Sequence, residues 1–496
     1  MLILEILYLL SAALLAIYGL NSLVLTWLYH RRTATEPNTL AARHSSASEP
    51  SHLPRVTIQL PVYNERYVVE RLIEAAVGLD WPGDRLQIQI LDDSTDETQE
   101  IIRAAISRYQ AQGGAVVIHH LHRARRKNFK AGALQHGLTS ASGEFIAIFD
   151  ADFIPPPDFL QKTIPLFEAP NVGCVQTRWG HVNPESSRLT QAQALGIDGH
   201  FIVEQNARHT IKAFLNFNGT AGVWRRTCMT AAGGWQGDTL TEDLDLSYRA
   251  QIRGWQILYQ PEMIVPAELP VQIDAFKRQQ FRWAKGSIQT ALKLLGSFWR
   301  TRQPLWLKLL GTLHLTNYTV HPLMLLNLLL TLPMTFSDSP FLRLTPLFTL
   351  SAIGPPLLYW TAMQQGRSLP LPARLGRLAL LIAVGTGLSV NNSQAVFEAI
   401  GHIHSDFKRT PKFAVTDRSA QWQHSAYALP RNPTAWLELL LAGYAAGLLI
   451  WVILMGIWWL IPWLLLYAGG YSYVAGLAFG QAWQTRAMRL RLAGVK

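Results

Sequence analysis

Residues 2–29 contain a single charged side chain, Glu5, and are followed at once by His30-Arg31-Arg32. An apolar run of that length spans bilayer hydrocarbon as one helix, and its basic end marks a cytoplasmic flank. The run is too long for a signal-peptide core and lacks both a basic start and a small-residue cleavage site, so it reads as an anchor. Further apolar segments occur near 306–333, 342–363, 376–397, 436–460 and 462–483, broken by Phe336–Pro340, the loop 364–377 and the polar run 401–434. If all six crossed, the loop carrying Lys408, Arg409, Lys412 and Arg418 would lie outside, against the positive-inside rule. Segment 376–397 is also interrupted by Asn391-Asn392-Ser393-Gln394, which lipid penalises. The expectation is therefore about five crossings, with 376–400 interfacial or re-entrant. The basic tail, Arg486, Arg489, Arg491 and Lys496, then returns to the cytosol.

At 496 residues the chain exceeds what one core usually organises, so a second unit built in lipid accounts for the length. A charged fraction of 16%, 17 tryptophans and a mean hydropathy of +0.11 agree with membrane residence. The net charge of +11 is assigned to basic loops beside a lipid bilayer, since no nucleic-acid motif accompanies it and no nucleic-acid partner is expected. Cys174 and Cys228 are too few for a disulfide framework and fit a reducing compartment as structural residues.

Between Arg55 and Pro304 the pattern changes to that of a water-exposed α/β domain. Val56–Leu60, Leu86–Leu91, Ala115–Ile118 and Phe145–Phe149 are short β-rich runs separated by helix-like or loop segments, the rhythm of a mostly parallel, Rossmann-like sheet. Ligands of such sheets sit at the carboxyl ends of the strands. Three polar clusters fall there: Pro61-Val62-Tyr63-Asn64-Glu65, Asp92-Asp93-Ser94 and Asp150-Ala151-Asp152. Any one acidic residue at a strand end is often a turn former or helix cap, but three clusters at three strand ends point to a site.

Asp150 and Asp152, with a small residue between them, can present oxygens to a hard divalent cation, Mn2+ or Mg2+, that bridges phosphates. The basic stretch His119–Lys130 adds charge suited to a diphosphate, and its histidines lack the carboxylate or thiol that would complete a metal set. Downstream, Thr241-Glu242-Asp243 opens a plausible helix. Asp243 can take a proton from an attacking hydroxyl, with Glu242 tuning it. Thirty-five residues separate Asp243 from Gln279-Gln280-Phe281-Arg282-Trp283, where an amide, a guanidinium and an indole share about one helical turn.

This set of motifs and its spacing resembles the family 2 glycosyltransferases of the cellulose synthase superfamily. Gln279–Gly286 and Phe217-Asn218-Gly219-Thr220-Ala221-Gly222 resemble the mannan and glucomannan synthase-like branch (cellulose synthase-like A). The resemblance covers roughly 55–415. It implies a GT-A fold, an inverting mechanism and a nucleotide-sugar donor, GDP-mannose or UDP-glucose. Carried over residue by residue, it implies that Tyr63, Glu65, Asp93, Lys130, Asp150, Gln279 and Arg282 hold the nucleotide sugar, and that Asp152 holds the metal. Asp243 is then the base beside Glu242, and Trp283 with Gly219 and Thr220 shapes the acceptor site. Ser94 follows the acidic pair where the family has glycine, which leaves Asp92 and Asp93 open as alternatives. Phe407-Lys408-Arg409-Thr410-Pro411-Lys412 is similar to the family's gating loop, through Phe407, Arg409, Thr410 and Lys412, with Arg409 standing where the family often has valine.

The expected organisation is an anchor at 1–32, a linker at 33–54, a cytosolic catalytic domain at 55–304 ending in interfacial helices, and a transmembrane hairpin plus interfacial helix at 305–400. A gating loop at 401–434 and a terminal hairpin with basic tail at 435–496 complete it, with a bacterial plasma membrane as the expected setting. His314, Asn317, Tyr318 and His321 share a face if 306–333 is one helix, and such a stripe lines a conduit or bonds helices together. A conduit implies a processive enzyme extruding a β-glycan. Helix bonding leaves open a single transfer to a ceramide or diacylglycerol acceptor, or a scaffold with a degenerate domain, which the carboxylates at 150, 152 and 243 disfavour.

Overall fold

A computed structural model describes residues 1–35, 53–337, 350–365, 369–417 and 422–494. Most of the 33–54 linker, residues 342–349 of the expected second apolar segment, Arg418 and Lys496 lie outside the described residues.

Seven strands make one sheet: β1 (Val56–Val62), β2 (Leu86–Asp92), β3 (Val117–His122), β4 (Phe145–Ile148), β5 (Val172–His181), β6 (Gly222–Arg225) and β7 (Gln256–Ala267). Their order is β3-β2-β1-β4-β6-β5-β7, parallel throughout except that β6 runs antiparallel between β4 and β5. The period of two in the central strands decides their burial. On β4, Phe145 and Ala147 enter one core with Val56, Ile58 and Leu60, while Ile146 and Ile148 enter the opposite core with Trp224 and Phe217. The third strand starts two residues later than the sequence predicts and carries His119, His120 and His122 into the ladder opposite β2. At the sheet edge its outward side chains stay hydrated, so histidines are tolerated where a central strand would demand apolar residues. Both cysteines are free and buried in the second core, as expected of structural residues.

Three helices among the described residues are long and apolar enough to cross a membrane: Leu2–Arg31, Thr434–Leu454 and Trp458–Met488. Helices Leu371–Gly387 and Ser389–Ile400 form a pair bent by 43°, which raises the number to four if they count as one span. Of the five crossings expected, those near 2–29, 436–460 and 462–483 are among these helices, and the one near 342–363 lies partly outside the described residues. Of the polar run that marked this segment as unfit for lipid, Asn391, Asn392 and Ser393 are buried against protein and Gln394 is exposed. Asn391 Nδ2 donates to the Lys277 carbonyl at 3.0 Å, and the Asn392 amide lies 2.9 Å from His321 Nε2.

Segment 306–333 is not one helix. It divides into Leu305–Leu315, a tight turn at Asn317–Thr319 and Val320–Met334. The expected four-residue stripe is therefore broken. His314 Nδ1 pairs with the Tyr248 hydroxyl of the catalytic domain at 2.8 Å, whereas Tyr318 stacks on His321 with ring centres 6.0 Å apart.

Candidate active site

Each parallel strand of the sheet's first half delivers one functional segment from its carboxyl end. After β1 the backbone turns at Asn64, with φ +54°, and sends Tyr63 and Glu65 into a cavity. After β2 the adjacent aspartates take different jobs. Asp92 is fully buried, accepting from the Ser94 amide at 2.8 Å and paired with His120 Nε2 at 2.8 Å. Burial alone would raise its pKa, but these hydrogen bonds outweigh that and hold Asp92 below the usual carboxylate range. Asp93 faces the cavity and takes two bonds from the Arg123 guanidinium, at 2.7 and 2.6 Å. The choice that sequence left open thus falls on Asp93 as the cavity-lining acid.

After β4, Asp150 and Asp152 line the same cavity, each with a lysine ammonium 2.6 Å away: Lys130 on Asp150 and Lys412 on Asp152. Lys130 also donates to the Gly219 carbonyl at 2.9 Å and stands 3.9 Å from Glu242. Burial disfavours its charge, yet Asp150 and Glu242 outweigh burial and raise its pKa. One cation thereby ties the Asp-Ala-Asp segment to the Thr-Glu-Asp segment.

The 35-residue gap closes through a glycine contact. Helix Ile273–Trp299 carries Gln279, Arg282 and Trp283 into the cavity, and Gly286, one turn on from Arg282, abuts Thr241. A Cβ at Gly286 would meet the Thr241 side chain and amide at 2.5 to 2.7 Å. The seam is stitched by the Leu240 amide donating to Gln289 at 2.9 Å and by the Thr241 and Thr290 hydroxyls 3.3 Å apart. Opposite, Gly219 has φ +85°, and a Cβ there would sit 2.6 Å from Asp243 Oδ2. Only glycine fits beside that carboxylate. Burial, and next to it the Glu242 charge, push Asp243 up to about 7, the range a general base needs near neutrality.

Residues 401–417 lie across the cavity mouth. Arg409 pairs with Glu65 at 3.0 Å and rests 4.2 Å over the Tyr427 ring. Phe407 lies under the Arg282 guanidinium at 4.6 Å and stacks on Phe129 at 6.0 Å. Glu268 caps the Phe413 and Ala414 amides at 2.9 Å each, and its carbonyl accepts from Lys412 at 3.1 Å. Burial drives Glu65 up to about 8 despite Arg409 and Lys412. Within the cavity lining, Glu65 Oε2, Arg126 Nε, Arg282 Nε and Thr410 Oγ1 are buried without a hydrogen-bond partner among the described residues.

Of the residues singled out from sequence, Tyr63, Glu65, Asp93, Lys130, Asp150, Asp152, Gly219, Glu242, Asp243, Gln279, Arg282, Trp283, Phe407, Arg409, Thr410 and Lys412 all line this one cavity. Thr220 does not; it is fully buried and its hydroxyl accepts from the Asp150 amide at 2.8 Å, fixing the acidic turn from behind. The sequence reading passed over Trp179 and Glu268 at the ends of β5 and β7, named Asn218 only within a motif, and took Arg126 only as part of a basic stretch; its guanidinium lies 3.6 Å over the Tyr63 ring. Recognising β5 and β7 as further strands of the sheet would have exposed the first two, because ligand contacts gather at strand carboxyl ends.

A mixed, mostly parallel sheet with paired carboxylates after the fourth strand and an acidic helix start facing them defines a GT-A-like glycosyltransferase domain. Residues 54–286 match the family model described as glycosyltransferase like family 2, and this domain belongs to that family. The chain is 43% identical over 258 residues to glucomannan 4-beta-mannosyltransferase 2 of Arabidopsis thaliana, covering 51% of this chain and 48% of the relative. Over 265 residues it is 43% identical to glucomannan 4-beta-mannosyltransferase 1 of Oryza sativa subsp. japonica, covering 52% and 50%. It thus spans about half the length of the curated relatives it matches. Among solved structures, the mannosyltransferase PcManGT from Pyrobaculum calidifontis, in complex with GDP-Man and Mn2+, shares the fold with a TM-score of 0.52. That match has 20% identity and covers 81% of this chain and 100% of the other.

Proposed function

We propose that this chain is an inverting membrane hexosyltransferase that moves a hexose from GDP-mannose or UDP-glucose to a growing β-glycan of the mannan, glucomannan or glucan type. The observation that carries the reading is the convergence of Asp150, Asp152, Lys130, Asp243 and the Gln279–Trp283 turn on one cavity. The names of the glucomannan mannosyltransferase relatives support a mannosyl product.

The acceptor hydroxyl oxygen attacks the sugar C1 from the side of Asp243, and the bond from C1 to the diphosphate oxygen breaks with its electron pair leaving on the diphosphate. Asp243 takes the hydroxyl proton. Trp283 offers the acceptor ring an apolar face, and Arg282 and Arg126, whose Nε groups have no hydrogen-bond partner among the described residues, orient the diphosphate. Asp150 and Asp152 both line the cavity and offer the hard oxygen donors that Mn2+ or Mg2+ takes, and Lys130 and Lys412, 2.6 Å from them, would yield their places to such an ion. Such an ion, when bound, neutralises charge on the departing diphosphate.

With Arg409 and Lys412 inserted, the cavity measures about 140 Å³. Small-molecule sites run to about 300–1,000 Å³, so the 401–417 segment acts as a lid that withdraws to admit donor. The catalytic domain faces the cytosol in this reading, in line with the basic residues of the lid. The stripe expected to line a glycan conduit is broken and His314 and His321 Nε2 bond to Tyr248 and Asn392, so extrusion rests on His321 Nδ1, which is buried without a hydrogen-bond partner among the described residues.

Purified protein in detergent, given radiolabelled GDP-mannose, UDP-glucose or UDP-galactose with Mn2+ or Mg2+, tests the proposal. High-mass product cut by a linkage-specific mannanase or glucanase is expected. Label extracted into chloroform would assign a lipid acceptor instead, and donor hydrolysis alone would overturn both.

A further inference from the structure

A second cavity, of about 480 Å³, lies on the other side of a partition formed by Lys130, Glu242 and Phe407, the residues it shares with the first. Its volume falls in the range of about 300–1,000 Å³ that small-molecule sites occupy. At its rim are Leu292 and Ile403, which are 54% and 55% exposed, so it opens to the solvent that bathes the catalytic domain. On its wall, Thr239 is 7% exposed and its hydroxyl has no hydrogen-bond partner among the described residues. A buried hydroxyl left unpaired costs stability unless a ligand or water answers it.

The electrostatics choose the ligand class. Lys293 is already committed to Asp238 at 2.8 Å and Asp245 at 2.9 Å, and Lys130 to Asp150 at 2.6 Å. Phosphate or another strong anion would meet lysines that carboxylates have already neutralised. What the wall offers instead is a hydroxyl at Thr239, an amide at Asn128 and the Phe129 ring, a set suited to a neutral polyhydroxylated ring with one apolar face.

We propose that this cavity takes a free mono- or disaccharide from solvent and presents it as an acceptor to the Glu242–Asp243 edge. The inference rests on the hexosyltransferase reading. Phe407 belongs to the lid, as do Ile403 and Ser405 on the cavity wall, so lid withdrawal opens the partition and joins the two cavities while Asn128, Phe129 and Thr239, which the lid does not carry, keep hold of the sugar. The sugar hydroxyl then attacks the donor C1, its proton passes to Asp243, and the nucleoside diphosphate leaves with the bonding pair.

The test uses the full chain in detergent, unlabelled GDP-mannose or UDP-glucose, and 14C-labelled mannobiose or cellobiose. Two variants report on the cavity: Leu292→Trp fills its mouth from an exposed position, and Thr239→Val removes the hydroxyl at constant shape. The parent incorporates label. Leu292→Trp loses incorporation by about tenfold or more while nucleoside diphosphate release without added sugar is unchanged, and Thr239→Val raises the KM for the labelled sugar about fivefold without changing that for the donor. Equal incorporation by parent and both variants, or donor turnover with no incorporation by the parent, overturns the proposal while leaving the transferase reading intact. If no donor is turned over, the transferase reading fails and saturation-transfer NMR of mannobiose still decides the cavity: signal in the parent that is lost in Leu292→Trp supports it, and no signal in the parent overturns it.

Discussion

Replacing Gly219 by alanine puts the geometry of the base to a quantitative test. The added Cβ would lie 2.6 Å from Asp243 Oδ2 and 3.4 Å from Lys130 Nζ. Relieving the first contact to an ordinary van der Waals distance moves the carboxylate by about 0.8 Å or more. A misplacement of about 1 Å in a reacting group costs about 10²-fold in rate. The backbone adds its own term, since φ of +85° at a residue with a Cβ costs about 1–2 kcal/mol. Gly219→Ala is therefore expected to fold with slightly lower thermal stability, to bind donor with near-parent affinity and to transfer sugar about 10²-fold more slowly. Radiolabel transfer, calorimetric donor binding and thermal unfolding in detergent separate these effects. A variant that transfers at the parent rate would refute the placement of Asp243 as base, because no other group lies in the path of the new methyl at that distance. A variant that fails to bind donor would show instead that the loop's role is to build the donor cavity.

The pH profile carries a second prediction. A base works ionised, and burial with the Glu242 charge raises Asp243 to about 7, so kcat/KM should be full above that pH and fall as pH drops through it. An acidic limb near 4, the ordinary aspartate value, would contradict the environment described. Lys277 and Glu438, paired at 2.6 Å with both side chains fully buried, join the Arg282-bearing helix to the Thr434–Leu454 helix. Lys277→Met should cost about 3–5 kcal/mol by stranding the carboxylate, with partial recovery in a double variant that also carries Glu438→Leu, read by thermal unfolding. Gly286→Ala pushes the Trp283 helix off Thr241 and is expected to lower transfer with donor affinity retained; unchanged transfer would mean that the seam tolerates a methyl.

The sequence was most legible where one physical signal dominates. Short β-rich runs, alternating in β1 and β2 and continuously apolar in β4, located these strands, and polar residues at their ends line one cavity. β5 and β7 escaped because their outer halves carry polar and aromatic residues such as Arg178, Trp179 and Gln260, which blur the alternation. The break at Asn317–Thr319 was hidden inside an apolar run, where composition records hydrophobicity and not hydrogen bonding. Long-range ion pairs were the least accessible. That Lys412 would face Asp152 across 260 positions, or Arg409 face Glu65, follows only from how the chain returns over the sheet. The spacing between Asp243 and Gln279 pointed to residues that line one cavity, while the reason for it, a helix seated on Thr241 through Gly286, lies in the fold.

The most direct measurement is transfer by Asp243→Asn, an isosteric change that keeps the 2.8 Å backbone bond to Leu244 available and removes only the capacity to take a proton. With radiolabelled donor, the divalent ion and parent-level donor binding as control, a loss of about 10²–10⁴-fold in transfer is expected. Transfer retained at the parent level, with donor binding intact, would contradict the assignment of Asp243 as the base and with it the catalytic role given to this cavity.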